Sequence, residues 1–255
     1  MPGDRRNRDL WIAGGLWLVL SVIGVLIATI DFYPEARSDK GEEIERAFRI
    51  LFMLAMPVFM LVVTAVALAL FRYRSRGEPT EDGPPLQGEG AIPKAWFAIT
   101  SGLCVLVMIF PGLTSLKEIT RNDDNPDLVV QVDAVQWAFI MKYPEYGITS
   151  LKELVLPVDK TVQFQIKSLD VVHSVYIPAF LMKIDAVPNL TTLMTLKPIK
   201  IGSYEEDQTM RVQCAELCGL DHSLMRFTLK VVTREEFDKW ISEQKVTTPS
   251  VAKPQ

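Results

Sequence analysis

Three stretches of the chain contain no charged residue: Leu10 to Ile30, Ile50 to Phe71 and Ala95 to Leu116. At roughly 1.5 Å of helical rise per residue, twenty-odd apolar residues match a hydrocarbon core about 30 Å thick. A soluble helix of that length would carry charge on its water-facing side. The pattern therefore predicts membrane spans near residues 10–30, 50–71 and 95–116. After residue 121 it changes to short β-branched runs: Leu128 to Val135, Leu151 to Leu156, Thr161 to Ile166, Thr191 to Leu196 and Phe227 to Val232. Each is bounded by Pro, Gly or Asp, as strands are, and their close spacing predicts a small sandwich or barrel. Thr233 and Glu236 form a capping-box pair, with Phe237 and Trp240 on one face of the helix they open.

These patterns predict a membrane anchor over 1–120, a β domain over 121–245 and a flexible tail over 246–255, with a Pro- and Gly-rich linker over 77–93. Arg5, Arg6 and Arg8 precede the first span, as they would in a signal peptide. Its apolar core exceeds the usual length of about 7–15 residues, and no Ala-x-Ala site closes it. We expect a retained span, leaving two spans if it is cleaved. Arg72, Arg74 and Arg76 place the loop from 72 to 94 in the cytoplasm, so the β domain is expected on the outer face. The loop from Asp31 to Arg49 mixes acidic and basic residues and gives no clean signal.

Charge and cysteine content narrow the chemistry. A formal net charge of −4 and a β domain without basic runs argue against nucleic-acid binding. Cys104 sits within the third span and is read as a plain membrane residue. Cys214 and Cys218 belong to the stretch Cys214-Ala-Glu216-Leu-Cys218-Gly-Leu-Asp-His222-Ser-Leu-Met225, which gathers two thiols, an imidazole and a thioether. The other histidine of the chain is His173. Soft sulfur donors with imidazole favour copper, and a methionine donor points away from zinc. Two bridging thiolates, two histidines, a methionine and a carbonyl near Glu216 suffice for a dinuclear copper site. A Cys214–Cys218 disulfide and a zinc site of two Cys and two His remain open alternatives.

Cys-x-Glu-x-Cys-x-x-x-His-x-x-Met resembles the copper A loop of cytochrome c oxidase subunit II. Asp170-Val-Val-His173-Ser174, continuing to Lys183-Ile-Asp185-Ala-Val-Pro188, resembles that family's other ligand segment, and Val135-Gln136-Trp137-Ala138-Phe139 its aromatic electron-accepting strand. The resemblance implies a membrane-anchored, all-β protein with a cupredoxin-type β-barrel. It also implies two coppers bridged by Cys214 and Cys218. His173 and Met225 complete one copper, and His222 with the Glu216 carbonyl completes the other. The Glu216 carboxylate reaches a magnesium ion at the border with the catalytic subunit. Electrons enter through Trp137 from cytochrome c or another periplasmic donor and pass to a haem-bearing catalytic subunit I. Further oxidase subunits, a multi-pass location in a prokaryotic plasma membrane and an interfacial Asp185 are implied too; a turn aspartate near Pro188 is the plain reading of Asp185.

The sequence departs from the family pattern in several places. Family members usually have two spans. The third span opens Pro93-Lys94-Ala95-Trp96 without the glutamate that many relatives place before the tryptophan, Glu89 being the available substitute. Ala138 interrupts the aromatic cluster, and the stretch from Ile201 to Val212 is longer than the family's approach to the first cysteine. No Cys-x-x-Cys-His haem-attachment motif occurs. Rival functions are the copper A subunit of a nitric oxide reductase, which shares the ligand set, and a membrane-tethered copper chaperone, which would leave Trp137 and the His173 segment unexplained.

Overall fold

The computed structural model describes residues 2–30, 34–72, 74, 77, 88 and 90–247, with backbone alone for 2–6, 92, 246 and 247. Most of the linker expected over 77–93, with Glu89 inside it, lies outside the described residues, as do Arg76 and the tail beyond residue 247. The chain divides into a helical unit, residues up to 32 with 46–116, and a β unit, residues 33–45 with 117 onward.

In the helical unit, α1 spans Pro2–Ala28, α2 Asp39–Phe71 and α3 Ala91–Val107. A π-helical segment, Met108–Leu113, joins α3 to α4, Thr114–Thr120. Phe110 leaves helical geometry at φ −137°, ψ 121°. The reason is Pro111, which lacks an N–H and pushes the preceding residue towards extended backbone. Among the described residues, three helical stretches are long and apolar enough to cross a membrane: Asn7–Ala28, Asp39–Phe71 and Pro93–Thr120. Their apolar side chains point largely outward, which suits a lipid solvent. The helices α1 and α2 meet through Gly24, where an added Cβ would fall 3.1 Å from Met56 Sδ. Trp17 Nε1 donates to the Pro57 carbonyl at 2.8 Å, and Arg72 pairs with Asp9 at 3.0 Å. Small residues at such a seam let helix backbones approach closely.

The second helix starts well before its apolar block, so the expected loop from Asp31 to Arg49 is half helix. Asp39 and Glu42 in the first turn complement the helix dipole. Residues ahead of it dock on the β unit. Arg37 N–H donates to the Ala179 carbonyl at 2.8 Å, Ile199 N–H to the Arg37 carbonyl at 3.0 Å, and Asp39 N–H to the Lys197 carbonyl at 3.0 Å. The Arg37 guanidinium binds the Ile201 carbonyl at 3.1 Å and Asp207 at 3.3 Å. This strap pins the long approach to Cys214. Burial opposes the Asp207 charge, but hydrogen bonds from Thr209 and the Arg37 charge outweigh it and lower its pKa.

The β unit comprises β1 Leu128–Val135, β2 Ala138–Tyr143, β3 Ile148–Ser150, β4 Glu153–Pro157, β5 Val162–Ser168, β6 His173–Ile177, β7 Met182–Ala186, β8 Thr192–Leu196, β9 Gly202–Ser203, β10 Arg211–Cys214 and β11 Arg226–Val232, then α5 Arg234–Thr247. One sheet runs β3-β2-β1-β5-β8 and the other β4-β11-β10-β6-β7, with β9 also on β11. The pairs β1–β5 and β11–β4 are parallel. Strand alternation sends Val130, Val132, Phe139, Met141, Phe164 and Ile166 from one sheet, and Leu154, Val175, Val212, Leu229 and Val231 from the other, into a shared core. The expected cupredoxin-type β domain forms, its two sheets packed together without closing into a barrel. At one seam between the sheets only an isolated Ser168–Pro188 bridge forms, and a proline has no N–H with which to extend a ladder. The α5 capping box forms as expected, Glu236 N–H to Thr233 Oγ1 at 3.2 Å and Thr233 N–H to Glu236 Oε2 at 3.1 Å. Phe237 and Ile241 are buried beneath that helix.

Candidate metal centre

Three loops gather at one end of the sandwich: the turn Gln136–Trp137 between β1 and β2, the segment 169–172 before β6, and the loop 215–225 between β10 and β11. Cys214 ends β10 opposite Val175, and His173 begins β6 opposite Ala186. Both ligand candidates therefore stand on rigid strand ends. Two backbone bonds close the loop, Cys214 N–H to the Met225 carbonyl and Ala215 N–H to the Ser174 carbonyl, each at 3.1 Å. His222–Leu224 forms a 3-10 turn that carries the second imidazole back over Cys218.

The donor atoms converge. Cys214 Sγ lies 3.8 Å from Cys218 Sγ, 3.8 Å from His173 Nδ1 and 3.2 Å from the Glu216 carbonyl. Cys218 Sγ lies 3.6 Å from His222 Nδ1 and 3.9 Å from Met225 Sδ. The ligand atoms of His173, Cys214 and Cys218 all fall within 4.8 Å of one another. With metal–sulfur bonds of about 2.3 Å, the observed sulfur separation subtends roughly 110° at a shared ion. The nitrogen–sulfur separations subtend roughly 115–125° for metal–nitrogen bonds of about 2.0 Å. The donor set thus fits soft metal ions held between two thiolates. Both cysteines are free, and their sulfurs stand far beyond the disulfide bond length of about 2.05 Å. Burial and the neighbouring Cys214 thiol push the Cys218 thiol up to about 11. A metal must displace that proton to bind.

The surroundings fix the ligands unequally. His173 is fully buried, and its Nε2–H donates to Asp170 Oδ1 at 2.8 Å, which leaves Nδ1 to face the sulfurs. Burial opposes the Asp170 charge, but hydrogen bonds from His173 and from the Gln136 and Val171 N–H groups hold its pKa below the usual carboxylate range. Met225 is buried, His222 half-buried and Glu216 exposed. Trp137 is not in a strand, contrary to the sequence reading. It sits in the turn, 36% exposed, whereas Phe139 on β2 is 2% exposed in the core. Its indole Nε1 donates to the Cys218 carbonyl at 3.3 Å. Gly219, at φ +124°, makes that approach feasible, since a Cβ there would stand 3.2 Å from the indole. Cys104 lies in α3, within the helical unit. Asp185 lies within β7 opposite Ser174, rather than in a turn. Hydrogen bonds from Ser174 and then Lys183 lower its pKa.

Asp170 and Gln136 stand inside two of the motifs, but their positions in the sequence alone assign them no role. A carboxylate three residues before a ligand histidine was the available signal for Asp170. For Gln136 there was none short of the fold, because its partner Cys218 is far away in sequence.

A family model described as "Cytochrome C oxidase subunit II, periplasmic domain" matches residues 146–232. Over 292 aligned positions the chain is 28% identical to cytochrome c oxidase subunit 2 of Thermostichus vulcanus, covering 90% of this chain and 85% of that one. It is 30% identical to cytochrome c oxidase subunit 2 of Alkalihalophilus pseudofirmus over 199 positions, 74% of this chain and 56% of that one. Among solved structures, the periplasmic domain of subunit II of a Bradyrhizobium japonicum cytochrome oxidase is 30% identical. That match has a TM-score of 0.44 and covers 48% of this chain and 96% of that one.

Proposed function

Because the chain belongs to the cytochrome c oxidase subunit II family, we propose that it is the copper A subunit that takes electrons from a soluble donor and delivers them to a haem in the catalytic subunit. The observation that carries this reading is the convergence of two thiols, two imidazoles, a thioether and the Glu216 carbonyl at one end of the sandwich. Cys214 and Cys218 would bridge two copper ions, with His173 and Met225 on one and His222 and the Glu216 carbonyl on the other. Held there, the copper pair would supply a one-electron relay, the charge change being spread over both ions.

The chain's own residues supply rigidity and access. Strand ends fix Cys214 and His173, Asp170 orients the His173 ring, and buried Met225 keeps water from the inner side. Trp137, exposed and bonded to the Cys218 carbonyl, offers a π system between solvent and the centre, where cytochrome c or another periplasmic donor would dock. The exposed Glu216 carboxylate is free to reach a magnesium ion at a subunit border. The strap around Arg37 belongs to the β unit, so the α1–α2 connection shares the domain's side of the membrane. With three spans, the N-terminus then faces the cytoplasm of a prokaryotic cell and the β domain the outer side. The names of the relatives favour an oxygen-reducing oxidase over a nitric oxide reductase.

The test is purification of the tagged full-length chain from its own membranes. A haem-bearing partner should come with it, and the complex should consume oxygen with reduced cytochrome c. Cys218→Ser should leave the assembly intact and stop turnover. A Cys218→Ser complex running at the wild-type rate would overturn the proposal.

A further inference from the structure

The turn that carries Trp137 does more than present an indole. Gln136 bonds in two directions from one residue. Its backbone N–H donates to Asp170 Oδ2 at 2.7 Å, and the other oxygen of that carboxylate holds His173 Nε2 at 2.8 Å. Its side-chain amide donates to the Cys218 carbonyl at 2.7 Å, the same oxygen that accepts the Trp137 indole at 3.3 Å. A carbonyl can only accept, so the amide nitrogen must face it. An unbroken path therefore runs from Cys218 through Gln136 and Asp170 to His173. It ties together segments far apart in sequence.

We propose that Gln136 is the positioning residue of the centre, fixing the Cys218 end of the donor set through its amide and the His173 end through its backbone. The inference rests on the copper reading above and adds a role for a residue that touches no metal. The two links are separable. A side-chain substitution breaks only the bond to Cys218, leaving the backbone N–H on Asp170. The Cys218 carbonyl then keeps the longer indole bond alone, and the loop that sets the Cys218 sulfur gains freedom together with the indole resting on it. The His173 ring stays where Asp170 holds it. Gln136 itself is exposed in a turn, so the change does not disturb the core.

The experiment uses the full-length chain in detergent, loaded with copper, as wild type, Gln136→Met and Gln136→Glu. Met keeps the bulk and loses the donor; Glu keeps the length and sets a carboxylate against the carbonyl. Both variants should bind copper in the wild-type amount. They should shift the reduction midpoint and the copper hyperfine splitting. Electron uptake from reduced cytochrome c should slow by about 10- to 100-fold, the usual scale for a group that orients a ligand, with the donor KM unchanged. A residue that only docks the donor would raise KM and leave spectrum and midpoint as in wild type, and that outcome overturns the proposal. Variants identical to wild type in every readout overturn it as well. Failure of the underlying copper reading looks different: the wild-type chain itself then lacks a spectrum from two coupled coppers.

Discussion

His173 and His222 offer the same imidazole to the same pair of sulfurs, yet they are held in opposite ways. His173 opens a strand, is fully buried and gives its outer nitrogen to Asp170. His222 rides on a single 3-10 turn, is half-buried, and its turn is preceded by Asp221, whose side chain makes no capping bond. One half of the centre is built into the sandwich, and the other is laid over it by a loop. A fixed inner half limits rearrangement around the sulfurs, while an open outer half leaves the loop accessible to partners.

The largest contrast should come from removing each histidine. Either His→Ala change should abolish the coupled copper signal. Only His173→Ala should also weaken the metal-free protein, by about 1–3 kcal/mol, because a fully buried ring is lost from the end of the sandwich together with its hydrogen bond to Asp170. His222→Ala should stay within about 0.5 kcal/mol, as surface changes do. Urea unfolding of the metal-free chain followed by tryptophan fluorescence measures both. Equal losses would erase the distinction between the halves.

Trp137→Phe comes next and concerns the outer half alone. Copper content and donor affinity should hold and stability fall by no more than about 1 kcal/mol, the worth of one hydrogen bond, while rapid mixing with reduced cytochrome c shows electron uptake slowed by orders of magnitude. Wild-type uptake with full copper would remove Trp137 from the path.

Asp170→Asn and Asp221→Asn form a smaller pair. The first should weaken copper binding or activity by about 10- to 100-fold through the loosened His173 ring. The second should change little, since Asp221 orients nothing on its histidine. Competition with a copper chelator reads the two side by side, and a larger loss from Asp221→Asn would reverse the assignment of the halves. The smallest effect is expected at Cys104→Ala, where copper content and spectrum should remain those of wild type. Loss of a copper there would mean the donor set was wrongly drawn.

Much of this was readable in the sequence because the signals are local. The charge-free blocks announce α1, α2 and α3, and alternation announces β1, β5 and β11. The spacing from Cys214 to Met225 announces the loop. What escaped depends on contacts between distant segments. The strap around Arg37 reads as an ordinary charged loop, since its partners Ala179, Lys197 and Asp207 are unknowable before the chain folds. Trp137 was misplaced because alternation through Val135, Trp137 and Phe139 looks like one strand. Instead the chain reverses at Gln136–Trp137, and the tight approach of Gly219 draws the indole onto the loop. The break at Phe110 was signalled by Pro111, but hydropathy alone passes over it.

The central claim is that both halves act on one shared metal pair, and electron paramagnetic resonance tests it most directly. The copper-loaded, partly reduced full-length chain should give hyperfine structure from one unpaired electron spread over two equivalent copper nuclei. A spectrum from a single isolated copper, with the second thiol idle, would contradict the account.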